Sequence, residues 1–148
     1  MTSLKKKTRV LENERRLRAR DRLHKRFGYD SVRAGRFVLR HVPDVSGRIL
    51  EVGTGKGRFL RALAARAVDI VTVDTSRAEQ QTARMTLAFS KPKAQVRFVA
   101  RDAARLTCFP SRHFDLVVSV NAVHHMRKPL TVLVEMLRLI KPDGVFVL

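Results

Sequence analysis

The spacing of apolar residues along the chain changes near Arg48. Before it, apolar residues recur at helical intervals, loosely over residues 9–27 and more regularly from Ser31 onwards. Gly28 separates these two predicted helices, and Pro43 ends the second one. After Arg48, short apolar runs typical of buried strands alternate with helical stretches. The pattern therefore predicts a helical amino-terminal part followed by a repeated strand–helix unit.

The repeated unit contains five predicted strands. They are expected at residues 49–52, 70–74, 95–100, 114–120 and 145–148, with helices at 57–67, 76–89 and 128–140. The run at 114–120 is mostly apolar, which is typical of a strand covered on both faces. Strands that alternate with helices in this way predict an α/β fold, a doubly wound Rossmann-like parallel sheet.

Local patterns refine these elements. Ser76-Arg77-Ala78-Glu79 matches a capping box, in which the Ser76 hydroxyl accepts from a backbone amide and the Glu79 side chain reaches back. Lys141-Pro142-Asp143-Gly144 predicts a turn before the fifth strand. The helix at 128–140 is expected to pack through four apolar side chains, Leu130, Val134, Leu137 and Leu139.

Glycines and polar residues follow the predicted strands. Ligands of open parallel sheets bind beyond the carboxyl ends of the strands, which here are followed by Gly53–Gly57, Asp74, Asp102 and Ser119–His125. Glycines let the backbone turn tightly and approach a ligand closely. A dinucleotide site has the spacing G-x-G-x-x-G, but here Arg58 stands at the position of the last glycine. The sequence also differs from the phosphate-binding P-loop pattern at two positions, Leu50 and Gly57. The spacing therefore disfavours both of those sites.

The glycines and carboxylates allow more than one interpretation. The glycines form either a ligand cradle or a merely architectural turn. Asp74 ends the second strand, where a carboxylate can accept from both hydroxyls of a ribose, or be a solvated residue that opens a helix. Asp102 follows the third strand, where it can accept from the exocyclic amine of an adenine or cap a helix at 103–106.

Five stretches in register resemble the class I S-adenosylmethionine-dependent methyltransferase family, over about residues 30–148. They are Ile49–Gly57, Asp74, Arg101–Ala103, Phe114–Ser119 and Leu139–Gly144, the last with Asp143 where the family has Gly. The resemblance implies S-adenosylmethionine as the cofactor and a sheet in the strand order 3-2-1-4-5.

The resemblance also implies roles for individual residues. Gly53, Gly55 and Gly57 would bracket the methionine end of the cofactor, and Glu51 would lie near its amino group. Asp74 would lie on the ribose and Asp102 on the adenine. The neighbouring residues expected to contribute to the cofactor site are Thr54, Thr75, Ala103, Ser119 and Asn121.

The stretch after the fourth strand lies where the family places residues that face the substrate. His124 and His125 are candidate catalytic proton acceptors there, and the alternative is that one histidine packs or caps while the other is solvated. The stretch lacks the Asn/Asp-Pro-Pro-aromatic motif of members that methylate amino groups of bases or glutamine. It resembles the small-molecule branch, so methyl transfer to a small-molecule acceptor is the predicted function.

The charge of the chain points to a second interpretation. It carries 31 Lys/Arg and 13 Asp/Glu, a net charge of +18, and residues 1–50 hold 15 of the basic and 5 of the acidic residues. Such a field attracts RNA or another polyanion at low salt, although it is equally compatible with a solubilising surface. An RNA methyltransferase that grips phosphates through residues 1–27 is therefore an alternative. The predicted division is a basic extension over 1–27 and a cofactor-binding domain over 28–148.

Other features narrow the class of protein. Cys108 is the only cysteine, which excludes an internal disulfide, and it is expected to be a buried apolar filler rather than a nucleophile. No metal site is expected. No membrane span is expected either, because no apolar run approaches about 20 residues. The basic amino terminus does not have the pattern of a secretory signal, so a cytoplasmic location is the default.

The fifth strand is expected to be a bare apolar edge, since family members usually continue with a further helix and an antiparallel strand pair. Such an edge offers unpaired backbone groups to another chain. The expectation is a homodimer through this edge or a longer natural protein that has been cut short. A non-catalytic cofactor-binding domain truncated at its substrate end is the third alternative function.

Overall fold

A computed structural model describes residues 19, 22–23, 26–28, 31–42 and 47–148 of the chain. Its first complete helix, α1, is Ser31–His41, close to the second predicted helix. The expected basic tail and most of the expected helix over residues 9–27 lie outside the described residues.

Strands and helices alternate from Arg48 onwards. In chain order the elements are β1 (Arg48–Val52), α2 (Arg58–Ala64), β2 (Asp69–Asp74), α3 (Arg77–Ser90), β3 (Gln95–Ala100), β4 (Phe114–Val118), a short 3-10 helix (Val123–His125), α4 (Pro129–Leu139) and β5 (Ile140–Val147). The predicted alternation is confirmed, although α2 and β4 are shorter than expected. The 3-10 helix was not predicted, because three residues are too few to show a helical period.

The five strands form one parallel sheet in the order β3-β2-β1-β4-β5, as expected. In the central register, Leu50 of β1 lies between Val71 of β2 and Val117 of β4. Every strand therefore ends at the same edge of the sheet, and the connections that follow β1, β2, β3 and β4 begin there.

Each face of the sheet has its own hydrophobic core. Successive strand residues point to opposite faces, so Ile49 packs on one side of β1 and Leu50 on the other. The first core joins the sheet to α1, α2 and α3, with Leu39, Leu60, Leu63 and Ala83 among its buried residues. The second joins it to α4 and the chain after β3, with Leu106, Phe109, Met136 and Leu139. Burial on both faces explains why the strands read as continuous apolar runs.

The predicted capping box at the start of α3 is half correct. The Ser76 hydroxyl accepts from the Glu79 amide at 3.2 Å, as expected. The Ser76 amide, however, donates to Asp74 at 2.9 Å. Asp74 sits at the end of β2, two residues before the cap, so its carboxylate meets that amide directly. The role predicted for the Glu79 side chain is therefore filled by Asp74.

The turn predicted at Lys141–Gly144 is wrong, because these residues lie within β5. Helix α4 passes into the strand without a connecting loop, since Ile140 already has extended backbone. The register with β4 then shifts, with Phe114 opposite Ile140 and Leu116 opposite Val145. The extra residues form a bulge in the strand, a feature that turn-forming residues favour as readily as a turn.

The face by which α4 packs was also predicted incorrectly. Leu130, Val134 and Leu137 are 77%, 66% and 57% exposed. Leu139 is buried as predicted, and it packs together with Val132 and Met136, which were not predicted. Since α4 is apolar around most of its circumference, two different faces satisfy a helical spacing. None of the helices within the described ranges is long and apolar enough to cross a membrane.

Candidate functional site

The chain leaves β1 through the glycine loop, Gly53–Gly57, in which all three glycines have positive φ. A Cβ on Gly53 would stand 2.2 Å from the Ala122 Cβ, and one on Gly57 would stand 2.8 Å from the Ala83 Cβ. These two glycines are needed for packing. A Cβ on Gly55 would meet nothing within 4 Å. Gly55 therefore borders open space beside the end of the sheet, where a ligand can approach the backbone closely.

Asp74 ties the end of β2 to this loop. One carboxylate oxygen accepts from the Gly55 amide and the other from the Ser76 amide, both at 2.9 Å. The half-buried side chain is thus not simply solvated. A carboxylate has about four acceptor positions, so two remain for a ligand. Asp74 is placed where a ribose hydroxyl can reach it from the space beside Gly55.

Glu51 lies beneath the loop as a fully buried carboxyl group. Its Oε2 accepts from the Thr72 hydroxyl at 2.5 Å, and the Thr54 and Thr72 hydroxyls are 2.6 Å apart. Burial raises the pKa of Glu51 to about 8; the Thr72 hydrogen bond lowers it, and the nearby charge of Asp74 raises it. A ligand that brings a positive charge to this end of the sheet would lower this pKa and favour the ionised carboxylate.

Thr72 was not among the residues predicted for the site. It occupies the middle of an apolar strand and is fully buried. Its neighbours in β2 are Val71 and Val73, so a lone hydroxyl in this run was the available signal. A buried polar side chain needs a hydrogen-bond partner, and the facing residue across the strand pair is Glu51.

The segment after β4 closes against the glycine loop. The buried Ser119 hydroxyl donates to the Val52 carbonyl at 2.8 Å, which ties the two strand ends together. Asn121 follows with a φ of 55°, and Ala122 contacts Gly53. The hydroxyls of Ser119 and Thr54 are already engaged within the protein. These two predicted cofactor residues thus organise the loop from inside.

His124 and His125 lie in the 3-10 helix directly after this contact. Both residues are exposed, and their ring centroids are 3.9 Å apart. Neither histidine therefore packs in the core, and the alternative in which one of them caps stays open. The two rings stand at the carboxyl end of the sheet, on the segment that touches the glycine loop.

The end of β3 completes this edge. Asp102 is exposed, and one of its carboxylate oxygens accepts from the Ala104 amide at 2.9 Å, so it caps a turn rather than a helix. Ala103 is buried, whereas Thr75 is exposed after β2. The amide of Arg101 donates to the Asp74 carbonyl at 3.1 Å, which holds the two strand ends side by side.

Cys108 is exposed, so the prediction of a buried filler is wrong. The adjacent Phe109 is 6% exposed and takes the core position. Within the part of the chain that the structure describes, no group of three or more His, Cys, Asp or Glu side chains is arranged to hold a metal ion. A groove of about 790 Å³ lies at the opposite, amino end of the strands, lined by residues such as Arg112, Arg138 and Lys141.

Comparison with known proteins places this geometry in a family. Residues 50–148 match the methyltransferase domain family. A 2-methyl-6-phytyl-1,4-hydroquinone methyltransferase from Synechocystis is 37% identical over 67% of this chain and 30% of its own length. A demethylmenaquinone methyltransferase from Clavibacter sepedonicus is 34% identical over 72% of this chain and 42% of its own length.

A solved structure agrees on the fold. The YcgJ protein of Bacillus subtilis superposes with a TM-score of 0.71 at 23% identity, over 78% of this chain and 49% of that one. The chain thus spans less than half the length of the relatives that it matches. Because the family match begins in β1 and includes the glycine loop, Asp74 and Asp102, the chain belongs to the methyltransferase domain family.

Proposed function

We propose that this chain binds S-adenosylmethionine at the glycine loop and takes part in methyl transfer to a small-molecule acceptor. The observation that carries the proposal is the open space beside Gly55, bordered by the Asp74 carboxylate. A positive φ at Gly55 and the absence of a Cβ leave the backbone open to the close approach of a ligand.

The residues at this edge fit the parts of S-adenosylmethionine. The free acceptor positions of Asp74 suit ribose hydroxyls, and the exposed oxygen of Asp102 suits an adenine amine. Glu51 supplies a carboxyl group beneath the loop for the methionine ammonium. The cofactor supplies an activated methyl group, so the protein mainly has to orient the acceptor and exclude water.

The acceptor that we propose is a quinol-type ring. The relatives from Synechocystis and Clavibacter sepedonicus carry a hydroquinone and a menaquinone in their names. Methylation of an oxygen or carbon of such a ring displaces one proton. The exposed imidazoles of His124 and His125, at the same end of the sheet, are the groups that we propose accept it.

Calorimetry with S-adenosylhomocysteine tests cofactor binding. Gly55→Val is expected to abolish it, because a branched side chain would fill the open space and strain a positive φ. Gly28→Val is the matched control, since Gly28 also has a positive φ and nothing within 4 Å of its Cβ position. Equal affinities of the two folded variants would refute a site at the glycine loop.

Transfer of a tritium-labelled methyl group tests the acceptor class. Label is expected in the quinol fraction of a metabolite extract and not in total RNA. Replacing both histidines by glutamine should lower the transfer rate and leave the affinity for S-adenosylhomocysteine within a few-fold. Binding without transfer to either pool would instead support the non-catalytic alternative.

The charge of the chain supports a second candidate, RNA methylation. We propose that residues 1–27 bind a polyanion and that residues 28–148 bind the cofactor by themselves. The net charge of +18 supports the first part, and the distance in sequence between those basic residues and the glycine loop supports the second. Deleting residues 1–27 should keep cofactor affinity within a few-fold while flattening the salt dependence of RNA retention. Loss of cofactor binding in a folded deletion variant would contradict this division.

We also propose that a second copy of the chain pairs with the edge of β5. This strand is outermost in the sheet, and Val145, Phe146 and Val147 along it are only half-buried. Unpaired strand backbone is a template for another strand. Light scattering should give a dimer for the wild type and a monomer for Val145→Lys, because a lysine disfavours strand pairing at an edge. A monomeric wild type would contradict the proposal.

A further inference from the structure

The carboxyl group of Glu51 stands out because it is buried and, in the described part of the chain, no cation balances it. The side chain is 2% exposed, and it forms no salt bridge with any described residue. Its partner is the Thr72 hydroxyl, so an ionised Glu51 has a hydrogen-bond donor but no counter-charge among the residues that the structure describes. A ligand that brings a positive charge to this end of β1 would supply what the fold leaves out.

Three side chains form a directed chain of hydrogen bonds here. The Thr72 hydroxyl donates a hydrogen bond to Glu51 Oε2. Its oxygen can then only accept from the Thr54 hydroxyl, whose oxygen is 2.6 Å away. Thr54 belongs to the glycine loop, and its amide donates to the Val73 carbonyl. The chain therefore links the ligand-facing loop to the buried carboxyl group, with Thr72 at its centre. In this direction it stabilises the ionised form of Glu51.

Few charged groups of the described residues act on the carboxyl group of Glu51. Asp74 of β2 acts on the carboxyl group through its charge, whereas β4 faces it with the apolar Val118 and the hydroxyl of Ser119. The other charged or titratable side chains on the helices over this face are exposed or half-exposed: Arg33, Arg36, Arg40, His41, Arg58, Arg61, Arg77, Glu79 and Arg84. The same holds at this end of the strands for Lys56, Arg101, Asp102, His124 and His125. The field at Glu51 is thus set by burial, Thr72 and Asp74.

We propose that Thr72 is a positioning residue which keeps Glu51 able to ionise, so that Glu51 releases its proton when a ligand with an ammonium group binds at the glycine loop. The O–H bond of the carboxyl group breaks, solvent buffer takes the proton, and the carboxylate faces the ammonium group. This inference rests on the proposed function, because S-adenosylmethionine and S-adenosylhomocysteine both carry that group.

The pH dependence of ligand affinity follows from the protonation of the buried Glu51 carboxyl group. Without ligand, burial keeps the pKa of Glu51 at about 8, so the group is mostly protonated at neutral pH. An ammonium group lowers that pKa, and binding then releases roughly one proton per ligand. Affinity should therefore rise as pH increases from about 6 to about 7.5, up to tenfold per unit. The range stops there because a free α-amino group begins to lose its own proton near about 8.

Calorimetry in buffers of different ionisation enthalpy measures the released protons. S-adenosylhomocysteine should release close to one proton from the wild type at neutral pH. 5′-Methylthioadenosine lacks the amino-acid part and should release none. Thr72→Val should raise the pKa of Glu51 further and weaken the binding of S-adenosylhomocysteine at neutral pH. The pH profile of binding should shift to higher pH. Thr72→Ser retains the hydroxyl and should restore the wild-type profile, while Glu51→Gln should release no proton and bind with a flat profile.

Each outcome separates the inference from the proposed function. Binding of S-adenosylhomocysteine without proton release overturns the inference and leaves the proposed function intact. An unchanged pH profile in a folded Thr72→Val variant overturns the positioning role, because this substitution keeps the volume and removes only the hydroxyl. No binding to the wild type at any pH overturns both. Circular dichroism of each variant confirms that it is folded.

Discussion

The two ends of the parallel strands hold their carboxylates in different ways. At the amino end, Asp69 lies 3.4 Å from Arg48 and Asp115 lies 2.5 Å from Lys141, and all four side chains are substantially exposed. At the carboxyl end, Glu51 is buried against a hydroxyl and Asp74 accepts from two backbone amides. Asp69 and Asp115 are thus paired with cations, whereas neither Glu51 nor Asp74 has a cationic partner among the described residues.

This difference separates stability from binding. The charges of an exposed ion pair already have partners, and such a pair contributes little to the free energy of folding. A buried carboxyl group without a cation costs folding free energy, and carboxyl groups perturbed in this way cluster at functional sites. The positive φ values of Gly53, Gly55 and Gly57 are at the same end. The predictions below test whether the two ends differ as this comparison requires.

The largest effect is expected from Glu51→Gln. Since the pKa of Glu51 is raised to about 8, the folded protein holds a proton that the unfolded chain has lost above its ordinary value of 4.5. Wild-type stability should therefore fall as pH rises from 4.5 to about 8. At about 1.4 kcal/mol per pH unit, the free energy of unfolding of Glu51→Gln should rise relative to that of the wild type by roughly 4 kcal/mol over that range.

Chemical denaturation across the pH range measures this gain, and Asp115→Asn is the control. Lys141 holds the pKa of Asp115 below its usual range, so that group does not titrate between 4.5 and 8. Its variant should keep a constant difference from the wild type over this window. Parallel curves for wild type and Glu51→Gln would mean that Glu51 is charged throughout, and the contrast between the two ends would collapse.

A smaller effect, on binding, is expected from Asp74→Ala. The substitution removes the acceptor of the Gly55 amide and the proposed ribose partner, so affinity for S-adenosylhomocysteine should fall by about 1–3 kcal/mol. Asp69→Ala removes a carboxylate from the other end of the same strand and should leave the affinity unchanged. Calorimetry on both variants decides whether position along β2 matters. A similar loss from each would show that the effect is general to the strand.

The fold was largely predictable because the strands are buried on both faces. Continuous apolar runs such as Leu116–Val118 predict a strand from the sequence alone, whereas the order of strands came from the family resemblance. The outer face of α4 was not predictable, since Leu130 and Val132 lie in a helix that is apolar on nearly every side. Only the position of β4 and β5 decides which face is buried.

The site was predictable where chemistry shows in the residue type. Glycines and carboxylates after strands are visible in sequence, so Gly53–Gly57 and Asp74 were candidates, and the structure brings them together through the hydrogen bond from the Gly55 amide to Asp74. Thr72 was missed because its role depends on a neighbour 21 residues away in sequence, Glu51, which only the strand register brings opposite. Likewise, no local pattern shows that Ala122 fills the space a Cβ on Gly53 would occupy.

The smallest effect is expected from Lys141→Gln at the amino end. The Lys141–Asp115 pair has side chains 38% and 41% exposed, so solvent screens it and its loss should cost only about 0.2–1 kcal/mol at neutral pH. Because the folded pKa of Asp115 lies below its ordinary 3.8, the pair stabilises the protein above that value and loses its effect as pH falls through the lowered one. Salt at about 1 M should also reduce the stability difference between Lys141→Gln and the wild type, because the Debye length is then only about 3 Å. Thermal unfolding of both proteins at two pH values and two salt concentrations measures this. A loss above about 2 kcal/mol that persists in high salt would show a strong pair at the amino end, and charge pairing would no longer distinguish an end built for stability from an end built for binding.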